Sequence, residues 1–508
     1  MTNAPLKGAA LAVTAFALAM GTFMQVLDLT IANVSLPTIA GNLGASTDQS
    51  TWIITSFVVA NGIGVPLTGW LMNRYGVVKT FVVSIALFTI ASFLCGIAWS
   101  LESLVVFRTL QGLVSGPIIP GSQALMISIF PASRRATALA LWSITSLVAP
   151  ICGPLLGGYI SDNFHWGWIF LINVPVGLLV MFLCWENLRR RETPVTRSRI
   201  DLVGMGLLVV WAGALQLMLD RGKNADWFGS PWIVALAIIA FAGFCAFILW
   251  EMTEDHPILD LALFKSRNFA LGTLVFCLGN GVFLANMLIL PLWLQTQLAY
   301  TATWAGLVSA PTGVVSVLLT PLAARALART DARLVASVAF LASALSYYLR
   351  AGLTADASFI AIALPLMVQG IANAGFFVAT VTILLDDVPG RRIPMASGLS
   401  NFVRIIVSGF AVSLVTTLWD RREALHQSRM ADMATGPVLH DTLSTMQGMG
   451  MSELAGKAVL TRGMEGQAYL LASIDVFHLS MWICLGLTGL VWLCHRTRKP
   501  AEPALAAD

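Results

Sequence analysis

Leu27-Asp28-Leu29-Thr30-Ile31-Ala32-Asn33-Val34-Ser35-Leu36-Pro37 places a carboxylate inside an apolar run. The run starts near Ala9, and at 1.5 Å per residue it is long enough to cross a bilayer. A charge at that depth costs roughly 2.5–3.5 kcal/mol on insertion scales. Asp28 therefore needs both a reason to be there and a partner.

Composition supports that reading. Hydrophobic residues make up 57% of the 508 and charged residues only 11%, with a mean hydropathy of +0.80. Too little polar surface remains to coat a soluble body of this size, so the expected class is an all-α polytopic membrane protein. The formal charge of +4 is small, and basic residues are not gathered with aromatics on one polar face, which argues against nucleic acid. The seven cysteines fall in apolar runs without CxxC spacing, so neither a disulfide framework nor a metal site is expected. No GxxxxGKS/T, HExxH or GxSxG occurs, and no soluble stretch is long enough to hold a nucleotide. An enzyme or ATP-driven pump is thus disfavoured. No catalytic residue, metal or cofactor is expected, and a proton gradient is the expected energy source.

Apolar runs of spanning length recur near 11–36, 52–72, 80–99, 102–128, 136–160, 166–187, 202–220, 231–250, 269–294, 304–324, 334–352, 357–385, 395–419 and 474–494, fourteen in all. Lys and Arg alternate with them. Twenty of the 30 basic residues lie in one set of connections, from Lys7 to Lys499, and eight in the other, leaving Arg108 and Arg404 inside spans. Both termini are then expected to be cytoplasmic.

The two halves repeat. Trp52 recurs as Trp304, Gln111-Gly112 as Gln369-Gly370, and Arg134-Arg135 as Arg391-Arg392, at offsets of about 252 to 258 residues. The expected organisation is an N-terminal six-helix half (1–187), then a basic linker with two inserted spans (188–268). The first five spans of the C-terminal half (269–419), a long polar outer loop (420–473), the last span (474–495) and a tail (496–508) follow. Two such halves around a midplane cavity form the architecture of secondary transporters.

Depth ties Asp28 to Arg108. The first span ends about eight residues beyond Asp28 and the fourth begins about seven before Arg108, so both lie roughly 10–12 Å below the same edge. A neighbouring guanidinium favours the carboxylate and desolvation favours the neutral acid, the balance a proton-coupled carrier needs; a static packing pair is the alternative. Asn33 and Gln111 are candidate secondary partners. Pro150, Gly153, Pro154, Gly157 and Gly158 of the fifth span suggest a bent, closely packed gate helix. Gly69, Arg74 and Gly76 mark a short basic loop, where Arg74 either latches onto neighbouring acids or helix ends or only sets topology. Asn280, Asn286, Gln369, Asn373, Asn401 and Arg404 are candidates for a substrate cavity or for interhelical hydrogen bonds.

Taken together, Leu27-Asp28-x-Thr30-Ile31-x-Asn33, the glycine-basic loop, Arg108-x-x-Gln111-Gly112 and Pro150-x-x-Gly153-Pro154-x-x-Gly157-Gly158 resemble the signatures of fourteen-span drug:proton antiporters of the major facilitator superfamily. Phe23 to Asp28, Ser161 to Phe170 and Leu219 to Lys223 resemble the EmrB branch of multidrug export proteins, and the likeness runs from about Ala10 to Trp492. The resemblance implies export of hydrophobic toxic compounds, such as antibiotics, across a bacterial inner membrane in exchange for protons. It also implies a periplasmic adaptor of EmrA type and an outer-membrane channel of TolC type as partners. A symporter or facilitator of a small metabolite with the same fold is the rival reading. The loop departs from the family pattern at Asn73, usually aspartate, and at Val77-Val78, usually Arg-Lys, which weakens the case for a latch there.

Overall fold

The computed structural model describes residues 6–45, 49, 52–131, 134–195, 201–222, 225–254, 257–298, 300, 302–433 and 437–497. Those residues form helices alone, with no strand among them. Local chemistry starts many of the helices. Ser100 forms a capping box with Ser103, and the side chains of Asp201, Ser266, Asp331, Ser358 and Ser452 each accept a backbone N–H of the turn that follows.

Among the described residues, twelve helices are long and apolar enough to cross a membrane, by length and composition. The second span adds a broken one, Trp52–Gly64 and Leu67–Tyr75, bent by 54°. Arg135–Asn163, 29 residues long, is one continuous helix over the fifth apolar run. The fold is therefore a multi-pass helical bundle whose crossings fall where the apolar runs do.

The broken second span is sealed to the fourth through glycine. A Cβ on Gly112 would meet the carbonyl of Phe57, and one on Gly116 would meet the backbone of Gly64. The second half repeats this crossing: a Cβ on Gly370 of the twelfth span would press on Thr312 and Val315 of the tenth at 2.7 Å. Backbone cannot yield as a flexible side chain can. Gly116→Val is expected to destabilise the fold by about 1–3 kcal/mol, seen as a lower melting temperature in detergent. Gly486→Ala, where an added Cβ meets nothing within 4 Å, should leave that temperature unchanged.

The halves meet at the face that carries most of the basic connections. There, Gly69 lies against Met395, and Gly398 lies against Thr68. One turn deeper, Asn401 donates to Gln123 across the seam at 3.3 Å. The inserted seventh span, Leu202–Arg221, lies along the same seam and touches both halves. Thr55 of the second span donates to its Asp220 at 2.7 Å, and Ser413 of the thirteenth donates to the Leu219 carbonyl at 2.9 Å.

The stretch 420–473 differs from the loop expected there. The helix of the thirteenth span continues to Met433, a separate helix covers Pro437–Gly448, and the last helix starts at Glu453 and runs unbroken into the final crossing. His426 and Arg422 both reach Asp475, at 2.9 and 3.7 Å, and Trp419 donates to Ser473 at 2.9 Å. Hydropathy marks where a helix leaves lipid, not where it ends, and these cross-links hold the protruding helices together.

Candidate functional site

Asp28 and Arg108 are both fully buried and form an ion pair at 2.5 Å. One carboxylate oxygen takes the Arg108 Nη1 hydrogen bond; the other accepts from Gln111 Nε2 at 3.1 Å and from Asn173 Nδ2 at 2.8 Å. Gln111 also accepts from Arg108 Nη1 at 2.7 Å, while Arg108 Nε donates to the Ile53 carbonyl at 3.1 Å. Ser92 accepts from both Gln111 and Asn173, at 3.0 and 2.9 Å, and gives its own proton to the Phe170 carbonyl. The guanidinium is flanked by the rings of Phe57 and Phe170, whose centres lie 4.3 and 5.4 Å away.

Each charge of the pair is offset by the other, although Arg108 Nη2 is buried without a hydrogen-bond partner, and either charge alone would be stranded. Among the described residues, the groups bonded to the carboxylate are all donors. A proton arriving at Asp28 would compete with them, so uptake requires the network to rearrange.

Depth reasoning found Asp28, Arg108 and Gln111 but passed over Asn173 and Ser92. The same rule reaches both: Asn173 lies about seven residues past Trp166 and Ser92 about seven before Trp99, roughly 10 Å below the same edge. Neutral polar residues are common in spans, and nothing marks these two until the sixth and third helices bring them to Asp28. The side chain of Asn33 lies outside the described residues.

Gly153 and Gly157 pack the fifth span on the first, beside the ion pair. A Cβ on Gly153 would strike the Thr30 side chain, and one on Gly157 would come within 3.0 Å of Ile31. Gly158, expected to share this role, faces open space with nothing within 4 Å, because it lies about 100° round the helix from Gly157. The backbone runs as one helix through Pro150 and Pro154, whose side chains lie outside the described residues.

The glycine-basic loop is held from a direction the sequence does not suggest. Gly76 adopts φ +93°, open to glycine, and a side chain there would strike Glu192. The Glu192 carboxylate accepts the backbone N–H groups of Val78 and Lys79 at 3.0 and 2.9 Å, capping the third span with a charge suited to a helix N-terminus. Arg74 lies over Trp70 and Tyr75, 5.6 and 5.8 Å from their ring centres. Gly69 serves the contact with Met395.

Of the candidate cavity residues, Asn280, Asn286 and Gln369 tie helices within the second half, and Asn373 accepts from Gln369 one turn along the same helix. Asn280 donates to Ser408 and Asn286 to Ser480, both at 2.8 Å, while Gln369 bonds Ser343 and Asn373 at 3.3 and 3.2 Å. All four are buried, and the first three bond across helices. Asn401 and Arg404 lie at the seam between the halves. At the position of Leu366, which corresponds to Arg108, the second half carries a buried apolar side chain, so the ion pair has no counterpart there.

Residues 18–412 match the family model of the Major Facilitator Superfamily. The chain is 47% identical over 491 residues to the multidrug export protein EmrB of Escherichia coli K12, covering 96% of each. It is 46% identical over 495 residues to the fatty acid resistance protein FarB of Neisseria gonorrhoeae, covering 97% of this chain and 98% of that one. Among solved structures, the proton:xylose symporter XylE is similar at a TM-score of 0.56 and 14% identity, over 94% of this chain and 96% of that one. That last likeness is one of fold alone.

Proposed function

Since the chain belongs to the major facilitator superfamily, a family of transporters rather than enzymes, we propose that it is a multidrug exporter that expels hydrophobic toxic compounds in exchange for protons. The observation that carries the proton-coupling part is the fully buried Asp28–Arg108 pair, enclosed by donors in the half nearest the gate glycines. Substrate enters from the basic face and competes with protonation of Asp28 for the outward switch. When the halves rock, water reaches the carboxylate, the arginine contact loosens and a proton binds. Return to the enclosed state expels it. In this reading the basic face is the cytoplasmic face of a bacterial inner membrane, in line with the Lys/Arg count, and both termini lie there.

The test is drug movement in proteoliposomes under an imposed pH gradient. An exporter accumulates a fluorescent hydrophobic drug against its gradient and releases protons as it does so. Uptake in the same direction as the proton flux would instead make it a symporter.

The protruding helices supply a surface for a periplasmic adaptor of the EmrA type, itself docked to a TolC-type channel. Their tip exposes Met449, Met451, Leu454 and Val459, an apolar patch that membrane spanning does not require. Removing Met446 to Gly466 should reduce co-purification with such an adaptor at least about tenfold while pH-driven transport in liposomes persists. Undiminished co-purification would exclude this surface.

A further inference from the structure

Two carboxyl groups far from Asp28 are buried together at the basic face, just outside the apolar runs. Asp201 precedes the seventh run and Glu251 follows the eighth, with relative exposures of 8% and 4%. Gly204 shows how close they are. A Cβ there would strike Asp201 Oδ2 and come within 3.0 Å of Glu251 Oε1, so both oxygens face one spot. Asp201 Oδ1 accepts the Gly204 N–H at 2.8 Å, and its two oxygens accept from Trp250 Nε1 at 3.0 and 2.9 Å. Glu251 Oε2 accepts the Leu259 N–H at 3.1 Å, while Oε1 is buried without a hydrogen-bond partner.

No cation offsets this pair among the described residues. The charged groups that act on Glu251 are Asp201 and Glu254, both acidic. The seventh helix, which packs along the eighth, carries Asp220 and Arg221 at its opposite end, and in the connection beyond Glu251 the Asp260 carboxylate faces Arg392. Arg197 and Arg199, shortly before Asp201 in the chain, lie outside the described residues.

Helix polarity separates the two acids. Asp201 is the N-cap of the seventh helix, where aligned N–H groups favour an anion; Glu251 lies in the last turn of the eighth, where aligned carbonyls oppose one. Two carboxylates facing each other in a buried place repel, and a proton on one of them removes the repulsion and fills the bare oxygen. We propose that Glu251 is held as the neutral acid and donates a hydrogen bond to Asp201, making a proton-binding site at the basic face separate from Asp28.

That proton closes a brace. Glu251 holds Leu259, and Ile258, Leu259 and Leu263 are buried. Between them Asp260 starts the short helix Leu261–Lys265 and pairs with Arg392, in the loop after the twelfth span, at 3.4 Å. The connection from the inserted spans is thus pinned on one side to the eighth helix and on the other to the second half. When the medium at the basic face turns alkaline, the proton passes to water, like charges meet and the connection loosens. The folded chain keeps a proton that an unfolded one has released, so closure is complete in acid and weakens as pH rises.

The test follows the full chain in nanodiscs between about pH 5 and about pH 9. Infrared difference spectra of the wild type should show the carbonyl band of a neutral carboxyl group that fades as pH rises. The band should survive in Asp28→Asn with Arg108→Gln and be missing from Glu251→Gln. Hydrogen exchange over 257–265, corrected for its intrinsic pH dependence, should quicken at least about tenfold across that range in the wild type and less than about threefold in Glu251→Gln, whose amide donates to Asp201 at any pH. Asp201→Asn removes the facing charge, so the band should fade at least about one pH unit lower. A wild type without the band, a band that outlasts Glu251→Gln, or exchange with the same pH dependence in both proteins would overturn the proposal. If Glu251→Gln does not fold, Asp201→Asn decides: fading moved to lower pH supports the site and unmoved fading overturns it. None of these readings involves transport, so they stand apart from the exporter reading.

Discussion

Asp28→Asn is expected to abolish drug export driven by a pH gradient while drug binding persists. Asparagine keeps the size and one acceptor oxygen of the side chain but cannot carry a proton on and off. In proteoliposomes, gradient-driven drug accumulation should fall at least about a hundredfold, to the level of empty vesicles, because coupling is lost and not merely slowed. The same change strands the Arg108 guanidinium at a fully buried position, so folding must be checked alongside. Asp28→Asn with Arg108→Gln removes both charges and isolates the question. The double variant should regain stability yet remain uncoupled. Proton-coupled export surviving in a folded Asp28→Asn protein would leave the pair a static tie between the first and fourth spans.

Arg108→Met is the larger structural lesion. It leaves a carboxylate buried with only Gln111 and Asn173 to serve it, and it orphans the Ile53 carbonyl. Breaking one partner of a buried pair costs about 3–5 kcal/mol, enough to deplete the folded protein recovered from membranes. Replacing both charges, Arg108→Met with Asp28→Leu, should recover most of that loss, since the penalty comes from the stranded charge. Thermal unfolding of the four proteins in detergent measures the coupling. Additive losses would mean that the pair is not an energetic unit. Arg108→Lys should fall between, because an ammonium group does not offer the fork that reaches Asp28, Gln111 and Ile53 together.

The inner wall of the site was legible to different degrees. Asp28 and Arg108 stand out because formal charges are rare in lipid, and counting residues from the span ends matches their depths. Gln111 follows from its place one turn along the same helix. Asn173 and Ser92 carry no charge to flag them, and their role arises from how the third and sixth helices rotate against the first. Glu192 is similar. Nothing local says that a carboxylate beyond the sixth span will cap the third, because that contact depends on the path of the linker across the basic face.

The polar outer stretch shows the limit from the other direction. Its later part has helical spacing, yet the continuity of the thirteenth and last helices beyond the membrane is tied to contacts between them, at Asp475 with His426 and Arg422. In the second half, too, Asn280, Asn286 and Gln369 carry the same residue types as a cavity lining would, and only the neighbours chosen by packing make them ties.

By itself the sequence determined the membrane class, the apolar runs that the long helices follow and the level at which Asp28 and Arg108 lie, because hydrocarbon penalises every charge and every unsatisfied backbone group and so writes depth directly into residue order. Which faces turn inward was decided only by the tertiary structure. Lipid tails are as apolar as the helix surfaces, so hydropathy is silent on rotation, and glycine contacts and hydrogen bonds between distant segments choose it.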